Sequence, residues 1–218
     1  MMTRREAGLG LLAGASLLSG TLAATAAPAQ PIALPKPAPS GKPLGEALRD
    51  RRSTREFADR PLPPALLSGL LWAAFGINRP QSGDRTAPSW RHGIEAEIYL
   101  AMKDGVWRYE PDGHRLLPHL AEDLRAATGT QDFVGTAPLD LVYVANGARM
   151  GNTSAEDKRL YAFTDAGFIG QNVYLFCAAE GLATVFRGSV DRDRLGRSLR
   201  LDAGRFVTFA QTVGFPKG

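Results

Sequence analysis

The sequence holds one cysteine and three histidines, and both scarcities narrow the chemistry. Cys177 has no partner for an internal disulfide. It stands between Leu175-Phe176 and Ala178-Ala179, the setting of a buried structural thiol rather than a nucleophile. His92, His114 and His119 have no HExxH or CxxC company, so no metal site is expected. Neither GxGxxG nor GxxxxGK[ST] occurs, so a nucleotide-type phosphate would have to rest on side chains. The net charge is a mild +4 and no Lys/Arg block is interleaved with aromatics, so nucleic acid is not an expected partner. The longest apolar run, Ala7 to Leu22, falls short of the ~20 residues that span a bilayer.

That run follows Arg4-Arg5 and leads to the small-x-small pattern Ala24-Thr25-Ala26. Residues 1–26 therefore read as a removable export signal of the twin-arginine kind, with a periplasmic destination and no stable membrane anchor once it is cut. Residues 27–43 carry Pro28, Pro31, Pro35, Pro37, Pro39 and Pro43 and suit an extended tether. Residues 44–218 are enough for one domain and too few for two comfortable ones.

Within that domain, helical spacing of apolar residues predicts a short helix over 44–52 and another from Leu66 to Phe75, stopped by Gly76. Residues 77–90 lack periodicity and read as a loop too long to be idle. IEAEIYLAM (94–102) alternates as a strand; Asp104-Gly105 is a turn, VWRY its return, and Asp112-Gly113 another turn. LDLVYVAN (139–146) and FVTFAQTVGF (206–215) are further strands, with helices over 157–181 and 191–199 between them. Helices interrupting antiparallel strand signals without a βαβ cadence indicate an α+β fold.

Two stretches stand out. DAGFIGQNVYLFCAAEGLATV (165–185) has no wide polar face, so its helix is expected to be buried all round. Gln171 and Asn172 must then find partners, and Gly167 and Gly170 would admit another backbone. RRSTREF (51–57) places Arg51, Arg52 and Arg55 around Ser53. It reads either as a solvated basic face or as an anion cradle of guanidiniums and a hydroxyl.

Taken in order, Arg-Arg-Ser-x-Arg-x-Phe before an apolar helix, Ala-Pro-Ser at 87–89, Asp-x-Gly-x-x-x-Gln-Asn from Asp165, Gly-Leu at 181–182 and a final Val-Gly-Phe-Pro resemble the FMN-dependent nitroreductase superfamily. GINR and RTAPS (76–79 and 85–89) look most like its azoline-dehydrogenase branch. The resemblance covers about Leu44 to Lys217. It implies a central antiparallel-rich sheet flanked by helices, an intertwined homodimer and FMN at the interface. Arg51, Arg52 and Ser53 would contact the phosphate and ribityl chain, and Arg55 the N1/O2 edge of the flavin. Pro88, Ser89 and Trp90 would reach the ring from the partner subunit, and the backbone around Arg187 and Gly188 would donate to N5. Lys217 would supplement the phosphate contacts that such proteins make further along the chain. His92 stands where many relatives carry asparagine. The implied activity is hydride or electron transfer through flavin N5 to or from a small organic donor or acceptor. A non-catalytic flavin carrier is the alternative.

Overall fold

The computed structural model describes residues 30–38 and 41–218; the export-signal reading lies outside the described residues. The elements run β1 (Ile32–Ala33), α1 (Leu44–Asp50), α2 (Pro64–Phe75), β2 (Ile77–Arg79), β3 (Asp84–Arg85), β4 (Ala96–Met102), β5 (Gly105–Glu110), β6 (Arg115–Leu120), β7 (Leu139–Asn146), α3 (Ala155–Glu180), β8 (Ala183–Arg187), α4 (Arg192–Ser198) and β9 (Arg205–Gly214). Seven strands form one sheet in the order β1-β6-β5-β4-β7-β9-β8, and every pairing in it is antiparallel. This is the expected α+β architecture.

The sheet is covered on both faces, which explains why β7 is a nearly unbroken apolar run. Side chains alternate across a strand. Leu139, Leu141 and Tyr143 join Leu70, Leu71 and Phe75 of α2 and Ile169 and Val173 of α3 in one core. Val142 and Val144 point the other way, into a smaller core with Leu195 and Leu199 of α4. Ser154 caps α3 by accepting from Asp157 N at 3.0 Å. Gly181 ends the helix at φ 69°, a left-handed position that glycine takes without a Cβ clash.

The structure departs from expectation in four places. The proline-rich segment does not hang free: Ile32 pairs with Leu116, Leu34 N donates to His114 O at 3.0 Å, and Ser68 of α2 donates to Pro35 O. An extended chain poor in N–H groups suits a sheet edge. The 77–90 loop contains the β2–β3 hairpin. The strand β6 went unread because Pro118 interrupts it; the proline sits opposite Trp107 beside a bulge, where a missing donor is tolerated. Finally, α3 is not buried all round in the single chain, since Gly167, Phe168 and Gln171 are exposed. No other backbone comes close at either glycine: a Cβ at Gly170 would lie 2.4 Å from the Phe186 ring, and one at Gly167 would meet nothing within 4 Å. Asn172 does bridge to the loop, donating to Thr86 O at 3.3 Å.

Candidate active-site cleft

RRSTREF begins where α1 stops. Arg51 N closes the helix on Ala47 O, Thr54 N donates to Thr184 O at 2.9 Å beside β8, and Lys217 N donates to Glu56 O at 3.3 Å. A bridge between Phe57 and Pro216 continues that contact. The extended segment is thus held between the free edge of β8 and the tail after β9, which gathers Arg51, Arg52, Ser53, Arg55 and Lys217 on one stretch of surface. Arg52, Ser53, Arg55 and Lys217 are exposed and Arg51 is half-buried.

Tyr174 of α3 orients this group. Its hydroxyl accepts from Phe186 N at 2.9 Å and lies 2.7 Å from Ser53 Oγ. The phenol oxygen keeps a second lone pair, so either hydroxyl of the Tyr174–Ser53 pair can donate to the other. The Arg51 guanidinium sits 5.1 Å from the centre of the Tyr174 ring, a cation–π contact. Arg52 spends only its Nε, on Asp50 O at 3.2 Å. Beside it lies a cleft of about 580 Å³ whose lining includes Arg52, Thr54, Tyr174, Ala178, Gly181 and Thr184. Lys42 crosses one side, pairing with Asp50 at 2.7 Å and donating to Ala178 O at 3.0 Å. Its hydrogen bond and charge hold the Asp50 carboxyl below the usual carboxylate range.

Arg187 and Gly188 are expected to offer backbone rather than side chains, and the Arg187 side chain turns away from the cleft. It is buried, donating Nη2 to Asp140 at 2.7 Å, Nη1 to Thr128 O at 2.8 Å and Nε to Thr212 Oγ1 at 3.0 Å. The side chain therefore braces the sheet interior, and only the backbone of 187–188 remains for a ligand, with Gly188 exposed at the end of β8. Burial likewise pushes the Cys177 thiol well above its ordinary pKa, so it is no nucleophile.

Pro88, Ser89 and Trp90 lie elsewhere. Trp90 stacks on Tyr161 with ring centres 5.0 Å apart, and its backbone N–H donates to Asp165 Oδ2 at 2.8 Å. Ser89 Oγ donates to Glu95 Oε2 at 2.8 Å and accepts from Ile94 N at 2.8 Å. At ~1.5 Å per residue, Tyr161 and Tyr174 are about 20 Å apart along α3. One chain does not bring the two groups of expected flavin contacts together.

The 89–94 loop is strained: Arg91, His92 and Ile94 have φ of 48°, 56° and 48°, costly for side chains with a Cβ. Two buried carboxyls, Glu95 and Asp165, fasten it. Burial and then the neighbouring Glu95 push Asp165 up to about 7, so Asp165 holds its proton well above the usual carboxylate range. The folded protein therefore binds this proton more tightly than the unfolded chain, whose Asp titrates near ~3.9. The resulting stability is present at low pH and is lost as pH rises through about 7. We expect the Trp90 fluorescence and the protease resistance of residues 89–94 to fall between pH 5 and 8, and Asp165→Asn to flatten that profile.

Against this geometry, the sequence profile described as the Nitroreductase family matches residues 48–215. The chain belongs to the nitroreductase family. A protein of Methanocaldococcus jannaschii that bears the name nitroreductase is 32% identical over 168 residues, covering 72% of this chain and 84% of its own length. A crystal structure from Ralstonia eutropha, also named as a nitroreductase, superposes with a TM-score of 0.84 at 42% identity, covering 88% of this chain and 92% of the other. The Escherichia coli microcin synthetase complex McbBCD contains a chain of the same fold, with a TM-score of 0.66 at 19% identity over 79% of this chain and 73% of that one. The chain is thus an oxidoreductase of a flavoprotein family.

The sequence alone singles out the arginine cluster and the Pro-Ser-Trp loop but not the side chains that hold them. Tyr174 carries no motif. Asp165 carried one usable signal: an acid directly before Ala166 and four residues from Ile169 in an apolar helix needs a buried partner.

Proposed function

We propose that this nitroreductase-family chain is an FMN-dependent oxidoreductase, working as a homodimer on a small organic donor or acceptor. One observation carries the reading: the segment bearing Arg51, Arg52, Ser53 and Arg55 is fastened along β8 and the Lys217 tail, with Arg52 lining a cleft floored by Tyr174 of α3 and Thr184 of β8 and Ser53 bonded to that same Tyr174. A flavin phosphate needs several charge-assisted donors where no glycine loop exists, and this surface fits that demand. When bound, FMN supplies the hydride and electron chemistry. The chain's own work is to anchor the phosphate through Arg51 and Arg52, to position Ser53 through Tyr174, to set a positive charge at Arg55, and to offer the Gly188 backbone at the end of β8. Trp90 would come from the second subunit, a reading supported by its distance along α3 from Ser53. GINR and RTAPS favour the azoline-dehydrogenase branch, and the twin-arginine opening favours export of the folded, cofactor-loaded protein to the periplasm.

Arg51→Ala and Arg52→Ala should each weaken FMN binding by about 1.5–3 kcal/mol, the range for a hydrogen bond to a charged group. Flavin fluorescence titration of the apoprotein measures this. Wild-type affinity in both variants would place the phosphate elsewhere. Turnover of the loaded protein with artificial donors separates an enzyme from a flavin carrier.

A further inference from the structure

A second cavity shares no lining residue with the cleft. The strands β4 and β5 pair only from Tyr99 opposite Arg108 to Met102 opposite Gly105. Beyond Tyr99 the two strands splay: Ala96–Ile98 stay with β7, and Tyr109–Glu110 with β6. A cavity of about 260 Å³ opens between them, lined by Arg85, Arg108 and Arg149 and by Phe75, Ile98 and Tyr109 among others.

Arg85 enters it from β3 with a side chain only 9% exposed. Its guanidinium makes no hydrogen bond among the described residues, and Nε and Nη1 are buried without a partner. Asp112 lies 3.6 Å from Nη2, but that carboxylate is itself 78% exposed. The other acids at the cavity are committed: Glu97 accepts from Arg205 at 2.9 and 3.2 Å and Glu110 from Arg115. Arg149 gives one arm to Ile94 O at 2.8 Å and lies 3.8 Å from Glu97. Arg108 makes no hydrogen bond or ion pair among the described residues. Burial lowers the Arg85 pKa and Arg149 adds to that, Asp112 and Tyr109 opposing. Besides the distant Asp112, Arg85 faces the Phe75 ring, 5.7 Å from Cζ to the ring centre. A buried guanidinium with two unbonded nitrogens is costly, and a native structure keeps such a group where something else completes it.

We propose that this cavity binds a small organic carboxylate. Its carboxylate takes two donors from one edge of the Arg85 fork, the planar match guanidinium favours, with Arg108 as the second cation. The apolar body packs against Phe75, Ile98 and Tyr109, which inorganic phosphate could not use. The volume lies below the ~300–1,000 Å³ usual for drug-sized ligands, which limits the ligand to about the size of a single ring. Ile94 also lines the cavity, so the ligand would sit beside the strained 89–94 loop. The proposal does not depend on flavin.

Thermal denaturation and calorimetric titration of the purified protein with sodium benzoate, sodium phosphate and sodium chloride at equal ionic strength test it. Benzoate should raise the melting temperature and bind with Kd below ~1 mM, while phosphate at the same concentration behaves like chloride. Arg85→Gln should weaken benzoate binding about tenfold or more, the loss of one charge-assisted hydrogen bond, and should melt above the wild type in chloride. Arg108→Gln, at a half-buried position without bonds to lose, should fold normally and weaken benzoate at least threefold; it carries the test if Arg85→Gln does not fold. Arg52→Ala should leave benzoate binding unchanged while weakening FMN binding, so the two readings fail separately. Benzoate no better than chloride, phosphate equal to benzoate, or benzoate binding unaltered in both variants would overturn the proposal.

Discussion

Replacing Arg187 by methionine is expected to lower the folding free energy by about 3–5 kcal/mol, the usual cost of removing one member of a buried ion pair. The Arg187 and Asp140 side chains are 1% and 0% exposed, with Nη2 2.7 Å from Oδ1. The guanidinium also ties down Thr128 and Thr212, so β7, β8, β9 and the 125–130 turn meet at one side chain. Without it, a carboxylate whose Oδ2 already lacks a partner keeps only the Thr212 hydroxyl on Oδ1. Burial pushes Asp140 up to about 6 even against the pull of Arg187 and Thr212. In the variant the carboxyl must rise further. A raised carboxyl pKa favours the folded state at low pH, so the loss should be largest at pH 8 and partly recovered at pH 5. Urea denaturation at the two pH values measures it. Asp140→Asn in the same background should restore part of the stability. By contrast, Arg200→Ala, which breaks the exposed pair with Glu122, should cost less than about 1 kcal/mol. A loss of that small size for Arg187→Met would mean that the core rearranges to solvate Asp140.

Phe168→Glu is the second large effect, this time on assembly. Leu160, Phe168, Leu44 and Leu48 are 58%, 47%, 64% and 52% exposed, and Leu160, Thr164, Gly167, Phe168 and Gln171 recur at helical spacing on one side of α3. With that face covered by a second copy, in an interface of more than roughly 2,000 Å², a charge at position 168 would be buried without a partner. The variant should sediment as a monomer at micromolar concentration and lose bound flavin, because Ser53 and Trp90 would no longer meet at one site. Arg52→Ala supplies the contrast: a dimer with weakened flavin binding. A Phe168→Glu protein that remains a flavin-loaded dimer would place the interface on another face.

Local pattern was enough for most elements. The helices α2 and α3 and the strands β4, β5, β7 and β9 lie within two residues of where periodicity put them, because a helical or alternating repeat is written in neighbouring residues. RRSTREF was legible for the same reason, as its cations are adjacent in the chain. The strands β6 and β8 were not: Pro118 breaks one pattern, and five residues after a helix end carry too little of the other.

What joins residues far apart was decided only by the fold. The pairing of Arg187 with Asp140 depends on β9 lying between β7 and β8. The raised pKa of Asp165 depends on the packing of α3 against the 89–94 loop, and the approach of Lys217 to Glu56 on the course of the tail after β9. In each case the energy lies in a contact whose partners the sequence places tens of residues apart or more. The outer face of α3 shows the same division. Leu160 and Phe168 favour cover, since exposed apolar area is costly; only the tertiary structure shows that the described residues leave them exposed.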